Sequence, residues 1–340
     1  MKFLLTGGAG YIGSACLRWL LRHGHDPVAY DNLSAGHAAA VPGGRLEIGD
    51  ILDTPHLTDV LRRGHFDGVM HFAALASVPE SIAEPDRYYR INTTGTQSVL
   101  DAMRAAGIWR FVFSSTAATY GFRAEMPLTE DAPLIPETPY GSTKLCAEWM
   151  IREYARAYGV GYAALRYFNA SGADEDGCHG EHRNHETHLI PLTLAGALHP
   201  DRELSVFGSD YDTPDGTCVR DYVHVLDLAE AHRLAIESLE RGKGGVYNVG
   251  VGIGVSVLEI VQTCQTISGC PIPYTIKPRR PGDPAVLVAS AKRISDRLGW
   301  HPRFSDIGTI IRTAWQWHQR HPHGYRDTEQ IACTDTLSRG

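Results

Sequence analysis

Lys2-Phe-Leu-Leu-Thr-Gly-Gly-Ala-Gly-Tyr-Ile-Gly13 decides the fold: a short apolar run breaks straight into glycines, and an amphipathic stretch opens at Tyr11. Gly8, Gly10 and Gly13 fit the spacing G-x-G-x-x-G. Glycine is needed where a side chain would block a tight turn, the approach of a pyrophosphate or the packing of helix on strand. N–H groups at the helix N-terminus then bind phosphate oxygens. Glycine turns are common, so the surroundings carry the inference: a strand before, a helix after, and Asp31 closing the second apolar run 18 residues beyond Gly13. An Asp before an Asn can simply cap a turn. At this spacing its carboxylate can instead accept hydrogen bonds from both hydroxyls of an adenosine ribose and repel a 2′-phosphate. No Arg or Lys lies between Asp31 and Arg45 to receive that phosphate, so the expected dinucleotide is NAD.

Outward from this loop, apolar runs at 2–6, 27–31, 45–49, 68–73, 109–115 and 160–167 alternate with amphipathic stretches near 11–23, 55–64, 85–106 and 140–158. Several of the runs are apolar on successive residues, as strands buried on both faces should be. The pattern predicts an α/β fold with a doubly wound Rossmann-type parallel sheet over 1–168. Beyond 168 come a polar, His-rich loop (174–188), a Gly/Asp/Thr/Pro stretch (208–217), a helix near 226–241 and Pro-rich turns around 271–284. These suggest a smaller, partly interleaved C-terminal α/β substrate domain over 169–322, with segments near 213–245 returning to the first domain. A polar tail follows at 323–340.

Composition narrows the function. The 340 residues carry 32 Lys+Arg against 39 Asp+Glu, a net charge of -7 with no basic block, which argues against nucleic acid as a partner. No run of about 18 uncharged apolar residues predicts a membrane span, and the N-terminal apolar run is too short for a signal peptide. The seven cysteines contain no CxxC pair, so reduced thiols and a cytoplasmic location are expected.

Tyr140-Gly-Ser-Thr-Lys144 opens a helix introduced by Pro136 and Pro139, and a separation of four puts Tyr140 and Lys144 on one face. A phenol is a poor base at neutral pH, and lowering it three units costs about 4 kcal/mol, which a lysine and a nicotinamide cation can supply. Ser114-Ser-Thr116 ends the fifth strand, where a parallel sheet presents its active-site groups. Thr116 there can hydrogen-bond a substrate hydroxyl and the Tyr140 phenol, completing a site for hydride transfer. Asp50 would lie near the adenine, and Phe72-Ala73-Ala74 near the pyrophosphate and ribose.

The glycine loop, Asp31-Asn32, Gly49-Asp-Ile51, Ser114-Ser-Thr116, Tyr140 to Lys144 and Arg166-Tyr-Phe-Asn169 together resemble the extended short-chain dehydrogenase/reductase family. Val206-Phe-Gly-Ser-Asp-Tyr211, Gly216 to His224, Tyr247-Asn-Val-Gly250 and Arg279-Arg-Pro-Gly-Asp283 resemble its UDP-glucose 4-epimerase branch. The resemblance implies an isomerase with tightly held NAD, in which Tyr140, aided by Thr116, takes the proton of a UDP-sugar's 4-hydroxyl while hydride leaves C4. The 4-keto sugar then turns and receives the hydride on its other face. It further implies a cofactor site of Gly7, Gly10, Tyr11, Ile12, Gly13, Asp31, Asn32, Asp50, Ile51, Phe72, Ala73, Ala74, Asn92, Ser114, Tyr140, Lys144 and Tyr167. For the UDP-sugar it implies Thr116, Tyr140, Asn169, His188, Leu189, Phe207, Arg220, Arg280, Asp283 and Leu287, and a homodimer through 85–106 and 140–158. Three positions depart from the family: Ala76 replaces a lysine, His188 an asparagine before Leu189, and Leu287 a larger tyrosine.

Cys178, His179, His182, His185 and His188 invite a metal site, but their segment reads as a loop and NAD-dependent epimerisation needs no metal, so none is expected. A 4,6-dehydratase would want an acid pair after Thr116, where Ala117 and Ala118 stand. A 4-epimerase of UDP-xylose, a UDP-N-acetylhexosamine or UDP-glucuronate stays open. A catalytically silent NAD sensor fits poorly with Thr116, Tyr140 and Lys144 all present.

Overall fold

The computed structural model describes residues 1–121, 125–199, 201–280 and 283–325. The chain runs β1 (Lys2–Thr6), α1 (Tyr11–Arg22), β2 (Asp26–Asp31), β3 (Leu46–Ile48), α2 (Thr54–Gly64), β4 (Gly68–His71), α3 (Val78–Ala83), α4 (Pro85–Tyr88), α5 (Gly95–Ala106), β5 (Arg110–Thr116), α6 (Pro139–Tyr158) and β6 (Gly161–Tyr167). It continues β7 (Asn169–Ser171), α7 (Leu189–Leu198), β8 (Leu204–Phe207), β9 (Val219–His224), α8 (Val225–Ser238), β10 (Gly244–Val249), β11 (Gly254–Ser256), α9 (Val257–Ser268), β12 (Tyr274–Lys277), β13 (Val286–Leu287), α10 (Lys292–Leu298) and α11 (Ile307–Arg320).

Successive strand residues point to opposite faces, and β1 shows the consequence. Phe3 and Leu5 join a core with Met70, Val112 and Leu165 under α1 and α8, while Leu4 joins Val69, Phe111, Phe113 and Ala164 under α2, α5 and α6. The seven strands between these two layers, in the order β10-β6-β5-β4-β1-β2-β3, are all parallel, the doubly wound sheet expected. Its seventh strand, β10, comes from the chain beyond 168, as does α8, which packs on α1.

The remaining elements form a second layer around β11-β9-β13, with β7 on β9 and a separate β12-β8 pair. Ile190 and Leu194 of α7, Ile260 and Cys264 of α9, and Ile310, Ile311 and Trp315 of α11 build its core. Three details differ from the sequence-based expectations. The helix expected at 85–106 is interrupted by a π turn over Tyr89–Thr94. Within the Pro-rich 271–284, Tyr274–Lys277 is a strand, parallel to Leu204–Phe207. Tyr325, placed in the tail, is 7% exposed and donates to the Gly180 carbonyl at 3.2 Å, whereas 326–340 lie outside the described residues.

Cys16, Cys146, Cys218, Cys264 and Cys270 are free thiols, while Cys178 departs from that expectation in being disulfide-bonded. No described helix is long and apolar enough to cross a membrane.

Candidate active site

The glycine loop turns where glycine alone fits. Gly7 takes φ +72°, and a Cβ there would lie 2.4 Å from the Ala73 nitrogen; a Cβ on Gly13 would lie 2.3 Å from the Gly7 oxygen. Gly10 is the N-cap of α1, and a Cβ on it would meet only the Gly7 oxygen, at 3.3 Å, leaving the helix N-terminus open to an incoming group. Tyr11 and Ile12 begin the helix. Asp31 ends β2 with its oxygens facing this loop, accepting from the Ala9 N–H at 3.0 Å and the Leu33 N–H at 2.8 Å. Burial lifts its carboxyl above the ordinary value, and the two N–H groups and His37 oppose that. Asn32 donates to Asp50 at 3.0 Å, and Asp50 also accepts from the Leu52 N–H. Phe72 and Ala73 leave β4 with both N–H groups on the Thr6 carbonyl, and Ala74 follows. An adenosine diphosphate cradle of this kind, with side chains excluded from the helix end and a carboxylate beside it, fits NAD.

Two residues of the expected cofactor set are held from behind. Ile51 is 7% exposed in the core beneath α2 and α5. Asn92, in the π turn, accepts from the Leu75 N–H at 2.8 Å and donates to the Leu75 carbonyl and to Thr143, so its amide pins the loop after β4.

At the C-terminal end of β5, Thr116 hydrogen-bonds Tyr140. Thr138 caps α6 by accepting from the Gly141 N–H at 3.2 Å, which starts the helix at Pro139, one residue before Tyr140. Lys144, 3% exposed, donates to the Ser114 carbonyl at 2.9 Å. Burial pulls Lys144 down to about 7, opposed by Glu148. Burial raises Tyr140, while the Thr116 hydrogen bond and the Arg183 charge pull the other way. Tyr167, paired with Thr116 across β5 and β6, hydrogen-bonds Ser114 and His232.

A cavity of about 670 Å³ lies between β7, α7, β8 and β9, and seven of the expected substrate residues line it: Asn169, His188, Leu189, Phe207, Arg220, Arg280 and Asp283. Four of the seven contact one another in two pairs. Arg220 pairs with Asp283, and the Arg280 guanidinium sits 4.0 Å from the Phe207 ring centroid. Leu287 stands beside Arg220 in the β13–β9 register and packs with Ala117, just past Thr116, and Phe168. The strand end that bears Thr116 and the cavity wall are thereby joined. Ala76 is exposed after β4.

The sequence did not single out Glu148, Arg183 or the fastening of the His-rich loop. His179 hydrogen-bonds Ser14 at 2.8 Å, and Tyr11 donates to the Gly172 carbonyl at 2.6 Å, so this loop is strapped across the start of α1. Burial drives His179 down to about 3 and keeps it neutral. Among the described residues, the trio able to approach one metal ion is Glu181, Glu186 and His188, rather than the Cys/His set, and Arg183 already pairs with Glu181 at 2.8 Å.

The family described as "NAD dependent epimerase/dehydratase family" matches residues 3–250. The UDP-glucose 4-epimerase of Halalkalibacterium halodurans is 46% identical over 326 residues, 96% of this chain and 98% of that one. The crystal structure of the Brucella ovis UDP-glucose 4-epimerase in complex with NAD superposes with a TM-score of 0.89 at 47% identity, covering 92% of this chain and 97% of that one. That of the Bifidobacterium longum UDP-glucose 4-epimerase with NAD+ and UDP gives 0.90 at 36% identity, covering 96% and 100%. With the glycine cradle, the Thr116, Tyr140 and Lys144 group and the adjoining cavity in place, the chain belongs to the NAD dependent epimerase/dehydratase family.

Proposed function

We propose that this chain interconverts UDP-glucose and UDP-galactose by inverting C4 through a 4-keto sugar, with NAD retained between turnovers. The observation that carries the proposal is the junction just described, where Leu287 links the Arg220 wall of the cavity to the strand end bearing Thr116. NAD, when bound, accepts hydride from C4 and returns it. Gly7, Gly10, Tyr11, Ile12 and Gly13 receive its pyrophosphate, Asp31 and Asn32 its adenosine ribose, and Asp50 and Ile51 border its adenine. Phe72, Ala73, Ala74, Ser114 and Tyr167 line the remaining length, and Asn92 holds the loop that follows Ala74.

Tyr140 takes the proton from O4 of the sugar and later gives it back. Thr116 aligns that hydroxyl with the phenol, and the Lys144 ammonium favours the phenolate. Arg220 and Arg280 hold the diphosphate, Phe207 packs on the uracil, and Asp283 accepts from the uridine ribose. Asn169, His188 and Leu189 close the nucleotide end, and Leu287 borders the sugar. To bind UDP, Arg220 exchanges Asp283 for phosphate and Arg280 leaves the Phe207 ring. Residues 1–168 with the returning segments near 213–245 form the cofactor domain, and 169–322 mainly the substrate domain. Exposed Trp149 and Tyr158 on α6 support a homodimer through the 85–106 and 140–158 helices, and the expected location remains cytoplasmic.

Purified protein, given UDP-galactose and no added NAD, should form UDP-glucose, and its denatured supernatant should contain NAD. UDP-N-acetylgalactosamine, UDP-xylose and UDP-glucuronate run in parallel identify the preferred sugar. A protein that binds NAD and produces no 4-epimer from any of the four is a sensor, and the proposal fails.

A further inference from the structure

Tyr140, Lys144 and Glu148 succeed one another at four-residue steps on α6 and so share one face. Glu148, 6% exposed, has no part in the reaction above. Its Oε1 accepts from Ser115 Oγ at 2.5 Å and Arg166 Nε at 2.9 Å, and its Oε2 accepts from the Arg166 guanidinium at 2.5 Å. Arg166 also donates to the Tyr120 hydroxyl at 2.9 Å, which donates in turn to Asn248 at 2.6 Å. Ser115, Arg166 and Asn248 are register partners on β5, β6 and β10, so the network crosses three strands in one row.

Stability is a weak reason for such a pair, because well-packed apolar residues of the same volume commonly do as well. A carboxylate here does two things that an apolar group would not. It grips Ser115, which stands between Ser114, whose carbonyl receives Lys144, and Thr116, which hydrogen-bonds Tyr140. It also sets a negative charge one helical turn from the Lys144 ammonium. We propose that Glu148 is a positioning residue: with Arg166 it fixes the end of β5 that presents Ser114 and Thr116, and its charge keeps Lys144 protonated.

The purpose of this device rests on the epimerase reading, but its effect is read on Lys144 itself. Facing Lys144 are Tyr140 and Glu148 from α6, His71 from β4, the Phe113 ring of β5 at 4.9 Å, and Arg166 of β6 behind Glu148. His71, driven by burial to about 3, is neutral, which leaves Glu148 as the group that opposes Lys144's desolvation.

The chain has five lysines, so side-chain carbon and nitrogen resonances in the full-length, NAD-loaded protein can follow Lys144 through a pH titration, with Lys144→Met supplying the assignment. Glu148→Gln should lower the Lys144 midpoint by at least about one pH unit, the effect of losing an opposite charge at this range, and move the alkaline limb of turnover with it. Glu148→Asp, which keeps the charge, should stay near the parent. Should the single Gln variant not fold, Glu148→Gln combined with Arg166→Gln leaves no unpaired charge and should move the midpoint in the same direction by a smaller amount, because a more distant positive charge leaves with the negative one. An unmoved midpoint in the folded Gln or double variant, or an Asp variant shifted as far as Gln, overturns the proposal. Full turnover in Tyr140→Phe would instead overturn the reaction assigned above and leave the Lys144 measurement standing.

Discussion

Replacing Lys144 by Met should make the protein more stable and less active, and the gain should fade as pH rises. A lysine in the unfolded chain titrates near 10.5, whereas burial brings Lys144 to about 7 in the fold. Between those values the unfolded chain holds the extra proton, so rising pH favours the folded state. The cost of a charged Lys144 is complete below 7 and gone above 10.5. At about 1.4 kcal/mol for each tenfold step, that cost is about 5 kcal/mol. Methionine removes it but leaves the Ser114 carbonyl without its donor, a loss of roughly 1–3 kcal/mol. A net gain of roughly 2–4 kcal/mol near pH 6 corresponds, for a chain of 340 residues, to a Tm higher by roughly 3–6 °C. Paired thermal scans of parent and variant at pH 6, 8 and 10, each saturated with NAD, check it. A Tm difference that stays constant from pH 6 to pH 10, or a variant less stable than its parent at pH 6, would refute the account of Lys144 as a charge held against its solvation.

Tyr140→Phe should lower turnover by roughly 10²–10⁴-fold, the contribution of a lost general base, with UDP affinity by calorimetry unchanged; undiminished turnover removes Tyr140 from the chemistry. Arg280→Ala should weaken UDP binding by about 1.5–3 kcal/mol, the worth of a charge-assisted hydrogen bond, and an unchanged titration would show that its stack on Phe207 is merely structural. Gly7→Ala combines a left-handed backbone with a Cβ 2.4 Å from the Ala73 nitrogen, so the variant should be purified without NAD or fail to fold. A folded, NAD-loaded Ala variant would contradict the packing of that loop.

The first half of the chain was legible because its signals are local. A glycine loop between strand and helix, Asp31 at the next strand end and Tyr140 four residues from Lys144 can all be found within short windows. The cavity residues, scattered from Asn169 to Asp283, could be gathered only through family motifs, since nothing in their spacing brings them together. Glu148 was overlooked because an acid on a helix ordinarily faces water. Its burial depends on Arg166 of β6, and only the packing of α6 against that strand makes them neighbours. Tyr274–Lys277 reads as a turn because prolines flank it, and its parallel partner lies far off in sequence, near residue 205. The π turn at Tyr89–Thr94 follows from tertiary demand, as Asn92 reaches both Leu75 and Thr143, and no helix propensity announces that.

The origin of β10 bears on how this protein can be made. Gly244 lies 77 residues after Tyr167, yet β10 is the strand that covers the β6 edge of the sheet. During synthesis at roughly 5–20 residues per second, that edge stays open for roughly 4–15 s after β6 has left the ribosome. The apolar face later sheltered by α8 waits nearly as long. An open edge and a bare sheet face are what aggregation recruits, so the interleaving that joins the two ligand domains also sets the interval in which a nascent chain depends on chaperones.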